Sequence, residues 1–198
     1  MLRISVLVSG GGTNLQAVID GIADGSIRGA EIVLVISSNP DAYALERAGK
    51  HNIKAVVIGR NNYPEQKART KAIIAALDEA KTDLVILAGY MSILEPELIE
   101  AYRGRIINIH PSLIPKFCGR GFYGKRVHEA VLAAGEKESG ATVHYVDEGV
   151  DTGPVILQEK VPVLAGDTAD TLAARVLETE HKILPEAVRK IIKERLQK

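Results

Sequence analysis

Five short apolar runs, at residues 4–8, 31–36, 54–58, 84–88 and 106–109, alternate with stretches whose apolar residues recur at helical spacing. Few folds accommodate that order. A strand that reaches the next one through a helix makes a crossover, and crossovers give a parallel sheet with helices on its faces. The expected fold is therefore α/β, with a single doubly wound, mostly parallel sheet. Helices are expected around Leu15–Ile22 and over 42–49, 64–81, 95–102 and 127–134, with Pro64 and Pro96 in the first turns of two of them. Two further β-rich runs, 141–146 and 155–163, flank an acidic loop and read as an antiparallel pair at the sheet edge near the C-terminus. Residues 168–198 carry an apolar stripe and are expected to form one last helix, kinked near Leu184 by Pro185. No repeat or linker is visible, so one domain over residues 1–198 is expected.

Charge narrows the partners. Lys+Arg and Asp+Glu both number 25, so no global field draws nucleic acid or anionic lipid, and any anion site must be local. Apolar runs such as 32–36 and 84–88 are far too short to cross a bilayer, and Met1-Leu2-Arg3 leads straight into a strand pattern, so no membrane span or signal peptide is expected. The lone Cys118 excludes an intrachain disulfide and favours a reducing, cytoplasmic setting. It is expected to be a packing residue rather than a nucleophile.

Three stretches carry chemistry. Ser9-Gly10-Gly11-Gly12-Thr13-Asn14 joins the first strand to the first helix. It matches neither G-x-G-x-x-G, because Leu15 stands at the last glycine, nor a Walker A loop. It reads either as a phosphate site at a helix start or as a tight turn in which Thr13 or Asn14 caps the helix. In the second stretch, Ile106–Lys116, Asn108 and His110 lie two apart in an extended segment and so face the same way, at a strand end halted by Pro111 and Pro115. They are either ligand-facing groups or groups that satisfy local backbone. The third, Asp147–Pro154, holds three carboxylates without the spacing of a calcium loop. The segment 116–125, with Gly119, Gly121 and Gly124, is a candidate lid. His181 has no second His or Cys at ligand spacing, so no metal site is expected.

Set together, Ser9–Asn14, Asn108–Pro115 and Asp151-Thr-Gly-Pro-Val-Ile156 resemble the folate-dependent formyltransferases. The likeness extends to Asn14–Ala17, Leu87–Met91 and Thr179-Glu-His181. The resemblance implies a Rossmann-like formyltransferase fold and 10-formyltetrahydrofolate as co-substrate, without a metal. Within the family the glycine loop favours a phosphorylated acceptor, glycinamide ribonucleotide, whose amine would be formylated in purine biosynthesis. Formyl transfer to another amine, hydrolysis of the formylfolate and a non-catalytic nucleotide-binding regulator are the alternatives. By the same resemblance Asn108 would hold the tetrahedral oxyanion. His110 would stabilise it or pass a proton, and Asp151 would favour a charged His110 and relay protons. Gly11, Gly12, Thr13 and Asn14 would hold the acceptor's phosphate, and Glu180 its ribose or amine. Met91, Ser92, Ile93 and Leu94, with the backbone of Asp147, Glu148, Gly149, Val150 and Asp151, would line the folate cleft. Ser92 departs from the basic residue of some members, which leaves the folate tail without that contact; Arg120, Lys125 and Arg126 are candidates to supply one. A monomer or homodimer that takes only small molecules is expected.

Overall fold

A computed structural model describes residues 1–196; the last two residues of the expected terminal helix lie outside the described residues. Its elements follow the order β1 (Leu2–Val8), α1 (Thr13–Ala23), β2 (Ala30–Ser37), α2 (Tyr43–Lys50), β3 (Ala55–Val57), α3 (Gln66–Glu79) and β4 (Leu84–Leu87). After these come α4 (Pro96–Ala101), β5 (Ile106–His110), α5 (Lys125–Ala133), β6 (Glu138–Tyr145), β7 (Val155–Pro162) and α6 (Ala169–Leu196). One seven-stranded sheet has the order β3-β2-β1-β4-β5-β6-β7. The pairs among the first five strands are parallel. β6 pairs antiparallel with β5, and β7 antiparallel with β6, so the C-terminal edge is the expected antiparallel pair.

The alternation of side chains along each strand builds two cores. Ile4, Val6, Val8, Ile86, Ile107 and Ile109 join one cluster with residues of α1, α2, α5 and α6. Leu7, Val85, Leu87 and Ile106 join the other with residues of α3 and α4. The sheet is covered on both faces, as its continuous apolar strands require. Because Ile107 and Ile109 belong to the first core, Asn108 and His110 stand on the opposite face with Ile106, at the carboxyl end of β5.

One strand departs clearly from its expected boundaries. β6 begins three residues early, through Ser139 and Gly140. Gly140 resembles a turn residue, but a Cβ there would lie 2.2 Å from the Glu159 carbonyl oxygen of β7 and 2.6 Å from Leu113 Cδ2. The glycine is there because of close packing within the ladder. α6 runs unbroken for 28 residues through Pro185, with Leu184, Pro185 and Ala187 all buried.

Candidate active site

The carboxyl ends of parallel strands are where open α/β sheets bind ligands, and two of the three stretches converge there. Asn108 and His110 project from β5, and Asp151 reaches them from the β6–β7 loop. His110 Nδ1 is 3.7 Å from Asp151 Oδ2. Asn108 Nδ2 donates toward Asp151 Oδ1 at 3.4 Å. Asp151 has a φ of 58°, a left-handed conformation unusual outside glycine, and Phe117 opposite it has a φ of 52°. Such strain persists only where surrounding contacts hold it. Here the contacts are direct: Gly119 N–H donates to Asp151 Oδ2 at 2.9 Å, and His110 Nε2 meets the Phe117 carbonyl at 3.0 Å. The candidate lid is thus seated on the site through its backbone.

A carbonyl only accepts, so His110 carries its hydrogen on Nε2 when neutral, and its Nδ1 lone pair faces Asp151. Burial pushes the His110 pKa below its ordinary value, against the opposing pull of the Asp151 charge and the Phe117 carbonyl. Asp151 favours the charged form of His110, as expected, but desolvation of a ring whose side chain is 6% exposed outweighs one carboxylate at 3.7 Å. Burial raises the Asp151 carboxyl, but the neighbouring His144 and His110 rings and the Gly119 N–H together hold it below the usual range.

His144 was not legible as a site residue. It sits opposite Asn108 in the β5–β6 register, is 1% exposed, and places Nε2 3.2 Å from Asn108 Nδ2 and 3.6 Å from Asp151 Oδ1. The only local signal was an imidazole inside a strongly β-forming run.

The glycine loop ends in an unusual helix start. Gly12 is the N-cap of α1, with φ 71° and no side-chain cap, so the expected cap by Thr13 or Asn14 does not form. The first N–H groups of α1 lack a capping side chain, as an anion site requires. A Cβ on Gly12 would lie 2.6 Å from Ala44 Cβ, whereas one on Gly10 or Gly11 would meet nothing within 4 Å. Arg47 braces the loop from α2 through a 2.8 Å bond to the Gly11 carbonyl. Thr13, Arg47 and His181 line a cavity of about 610 Å³ beside this helix start.

Asn14 turns inward instead of capping. Its Nδ2 donates to Glu180 Oε2 at 2.6 Å, both residues are 8% exposed, and its buried Oδ1 has no partner. Burial pushes the Glu180 carboxyl up to about 7, against the Asn14 hydrogen bond. The folded protein therefore holds a proton on Glu180 that the unfolded chain releases near 4.5, and stability falls as pH rises between about 4.5 and 7. Glu180→Gln keeps an acceptor for Asn14 and removes the charge. Its melting temperature is expected to match that of the parent near pH 5 and to exceed it by several degrees at pH 8, on the order of 3 kcal/mol at about 1.4 kcal/mol per pKa unit. Thermal unfolding at the two pH values checks this; an equal difference at both would show that Glu180 does not titrate in that window.

The remaining predicted positions divide. Met91, Ser92 and Ile93 line a second cavity of about 550 Å³, together with Asn39, Arg60 and Arg69. Leu94 packs instead against the α3–α4 core. Asp147 accepts from Gly149 N–H and from Thr152 Oγ1, and Glu148 pairs with Arg103, so both carboxylates are used to shape the loop. Val150 is half-buried in that loop. Of the candidate tail cations, Lys125 pairs with Asp170 and Arg126 lies over the Tyr123 ring, while Arg120 is exposed. Arg69 is 7% exposed, bonded to the Tyr63 carbonyl at 2.9 Å, and has no carboxylate within 4 Å among the described residues. Asn108, His110 and Asp151 line neither cavity.

An amide, an imidazole and a carboxylate converging at strand ends, with an uncapped helix start elsewhere at the same end of the sheet, define a doubly wound α/β protein equipped for group transfer. The chain belongs to the formyl transferase family, which it matches over residues 2–188. It is 42% identical to the phosphoribosylglycinamide formyltransferase of Escherichia coli, over 93% of this chain and 84% of that protein. It is 41% identical to the protein of that name from Haemophilus influenzae, over 100% of this chain and 90% of the relative. A crystal structure of glycinamide ribonucleotide transformylase 1 from Symbiobacterium toebii superposes with a TM-score of 0.92 at 45% identity, covering 98% of this chain and 89% of that one. The chain also matches trifunctional purine biosynthetic proteins of two Drosophila species, at 47% and 43% identity, but spans only 13% and 14% of their lengths. No helix among the described residues is long and apolar enough to cross a membrane.

Proposed function

We propose that this protein transfers the formyl group of 10-formyltetrahydrofolate to the amine of glycinamide ribonucleotide, giving N-formylglycinamide ribonucleotide and tetrahydrofolate in the cytoplasm. The observation that carries this reading is the convergence of Asn108, His110 and Asp151, together with the uncapped start of α1. Family membership and relatives bearing the corresponding names support it.

The reaction forms one C–N bond and breaks another. The acceptor nitrogen adds to the formyl carbon, the C=O electron pair moves to oxygen, and the C–N10 bond of the tetrahedral intermediate then breaks. One proton passes from the attacking amine to N10. Asn108 supplies an N–H to the oxyanion. Asp151, held ionised, takes the proton from the new ammonium group. His110, neutral with its Nδ1 lone pair toward Asp151, receives and returns that proton. The 3.7 Å separation of His110 from Asp151 leaves room for that contact to shorten when substrates bind.

The acceptor's phosphate is assigned to the N–H groups of Gly11, Gly12, Thr13 and Asn14, and its ribose or amine to Glu180. The folate is assigned to Met91–Ile93 and the backbone of 147–151. Its tail carboxylates point to Arg69 and Arg60, which supply the positive charge that Ser92 lacks. Arg69→Met is therefore expected to raise KM for the formylfolate about tenfold, with kcat within about twofold, as loss of one charge-assisted contact of about 1.5 kcal/mol would do. Steady-state kinetics with the donor varied checks this; an unchanged KM removes Arg69 from the folate site.

Incubation with 10-formylfolate, with and without glycinamide ribonucleotide, followed by the absorbance of the deformylated folate, tests the function. Turnover that requires the ribonucleotide is the expected result. Turnover without an acceptor would indicate a hydrolase, and binding without turnover a regulator.

A further inference from the structure

The two N–H groups of an asparagine side chain are useful to an oxyanion only if the amide is the right way round, and a free amide rotates. Two acceptors converge on Asn108 Nδ2: His144 Nε2 at 3.2 Å and Asp151 Oδ1 at 3.4 Å. They are not equivalent. Asp151 exchanges a proton during turnover and stops being a pure acceptor when it does. The acceptor role of His144 follows from its two partners: Nδ1 lies 2.8 Å from the Tyr145 carbonyl, which only accepts, so Nδ1 carries the hydrogen, and Nε2 turns its lone pair to the Asn108 Nδ2 group, which only donates. The ring is 1% exposed and cannot turn away to solvent. With the Asn108 amide reversed, its oxygen would face the lone pair of His144 and the carboxylate of Asp151 together.

We infer that His144 is a positioning residue: it accepts one N–H of Asn108 and thereby aims the other at the formyl oxygen throughout the reaction. The inference rests on the proposed role of Asn108 at the oxyanion. It adds a fourth member to the cluster, on the strand paired with β5.

A double-mutant cycle on the full chain tests it. His144→Leu removes the acceptor and is expected to lower kcat about 10- to 100-fold, with both KM values within about threefold, since a misaligned donor loses much of the roughly 100- to 1000-fold that a good one supplies. His144→Gln returns an oxygen near the place of Nε2 and is expected to recover most of that loss. Asn108→Ala combined with His144→Leu is expected to be no slower than Asn108→Ala alone, within about twofold, because a residue acting only through Asn108 has nothing left to position. Multiplying losses in the double variant, or a glutamine variant no faster than the leucine variant, would overturn the inference while leaving the proposed function intact. A normal kcat for Asn108→Ala would instead remove the oxyanion role itself, and this inference with it. A measurement on the unaltered protein covers the case in which the leucine variant does not fold: a through-bond nitrogen–nitrogen coupling between the Asn108 amide and the His144 ring is expected by NMR, and its absence at neutral pH would equally overturn the assignment.

Discussion

Asp151→Asn is expected to lower kcat by at least about 1000-fold while the dissociation constant for glycinamide ribonucleotide changes by less than about twofold. The substitution is nearly isosteric. Its amide oxygen can still accept from Gly119 N–H, which now donates at 2.9 Å, so the left-handed turn at residue 151 and the seat of the 117–119 loop are preserved. What disappears is the charge. An amide does not accept the proton of the attacking amine, and it does not favour a cationic His110 when the tetrahedral intermediate forms. General acid–base assistance contributes roughly 100- to 10,000-fold, and here the proton-accepting and charge-stabilising effects fall on one residue. The acceptor's phosphate and ribose are assigned to residues 11–14 and 180, on other elements, so ground-state binding is spared. Single-turnover kinetics gives the first quantity and calorimetry the second. Near-normal turnover in this variant would take Asp151 out of the mechanism.

Asn108→Ala is expected to cost about 100- to 1000-fold in kcat, the usual loss for one oxyanion donor, with KM for both substrates within a few-fold. The donor matters far more to the intermediate than to the bound substrate, because a negative oxygen binds an N–H much more strongly than a carbonyl oxygen does. A rise in KM with kcat preserved would mean that Asn108 holds the substrates and not the intermediate. The neighbours of residue 108 should be little disturbed. Ile107 and Ile109 face the opposite core, and the Asn108 side chain meets polar groups at the end of the sheet.

Much of this arrangement could be read along the chain because it depends on short-range pattern. Alternating apolar runs and helical periods set the parallel half of the sheet. Asn108 and His110 share a face because they are two apart in one strand. What escaped depends on partners distant in sequence. His144 faces Asn108 only through the β5–β6 register, 36 positions away. Asn14 turns inward because Glu180 arrives 166 residues later on α6, and no local capping rule contains that fact. The charge state of His110 is not legible along the chain for a related reason: a neighbouring carboxylate can be guessed from motifs, but the degree of burial comes from the assembled structure. In the 147–151 loop three carboxylates are visible in the sequence, but not that Arg103 and Thr152, from outside the segment, take two of them for structural use.

The contact behind the glycine loop bears on how such a protein could change its substrate. Gly12 backs onto Ala44 of α2, with no room for even one added methyl group between them. Positions 12 and 44 are consequently locked as a pair: neither can grow unless the other element retreats, although only one of them is assigned a ligand contact. A search for altered acceptor range that samples the loop alone would discard variants at position 12 as misfolded. Productive routes would instead have to move α2, either by reshaping residues 38–43 ahead of it or by relaxing the Arg47 brace that ties it to Gly11. The freedom of the anion-binding turn to evolve is thus governed by a helix whose own residues have no assigned part in the chemistry.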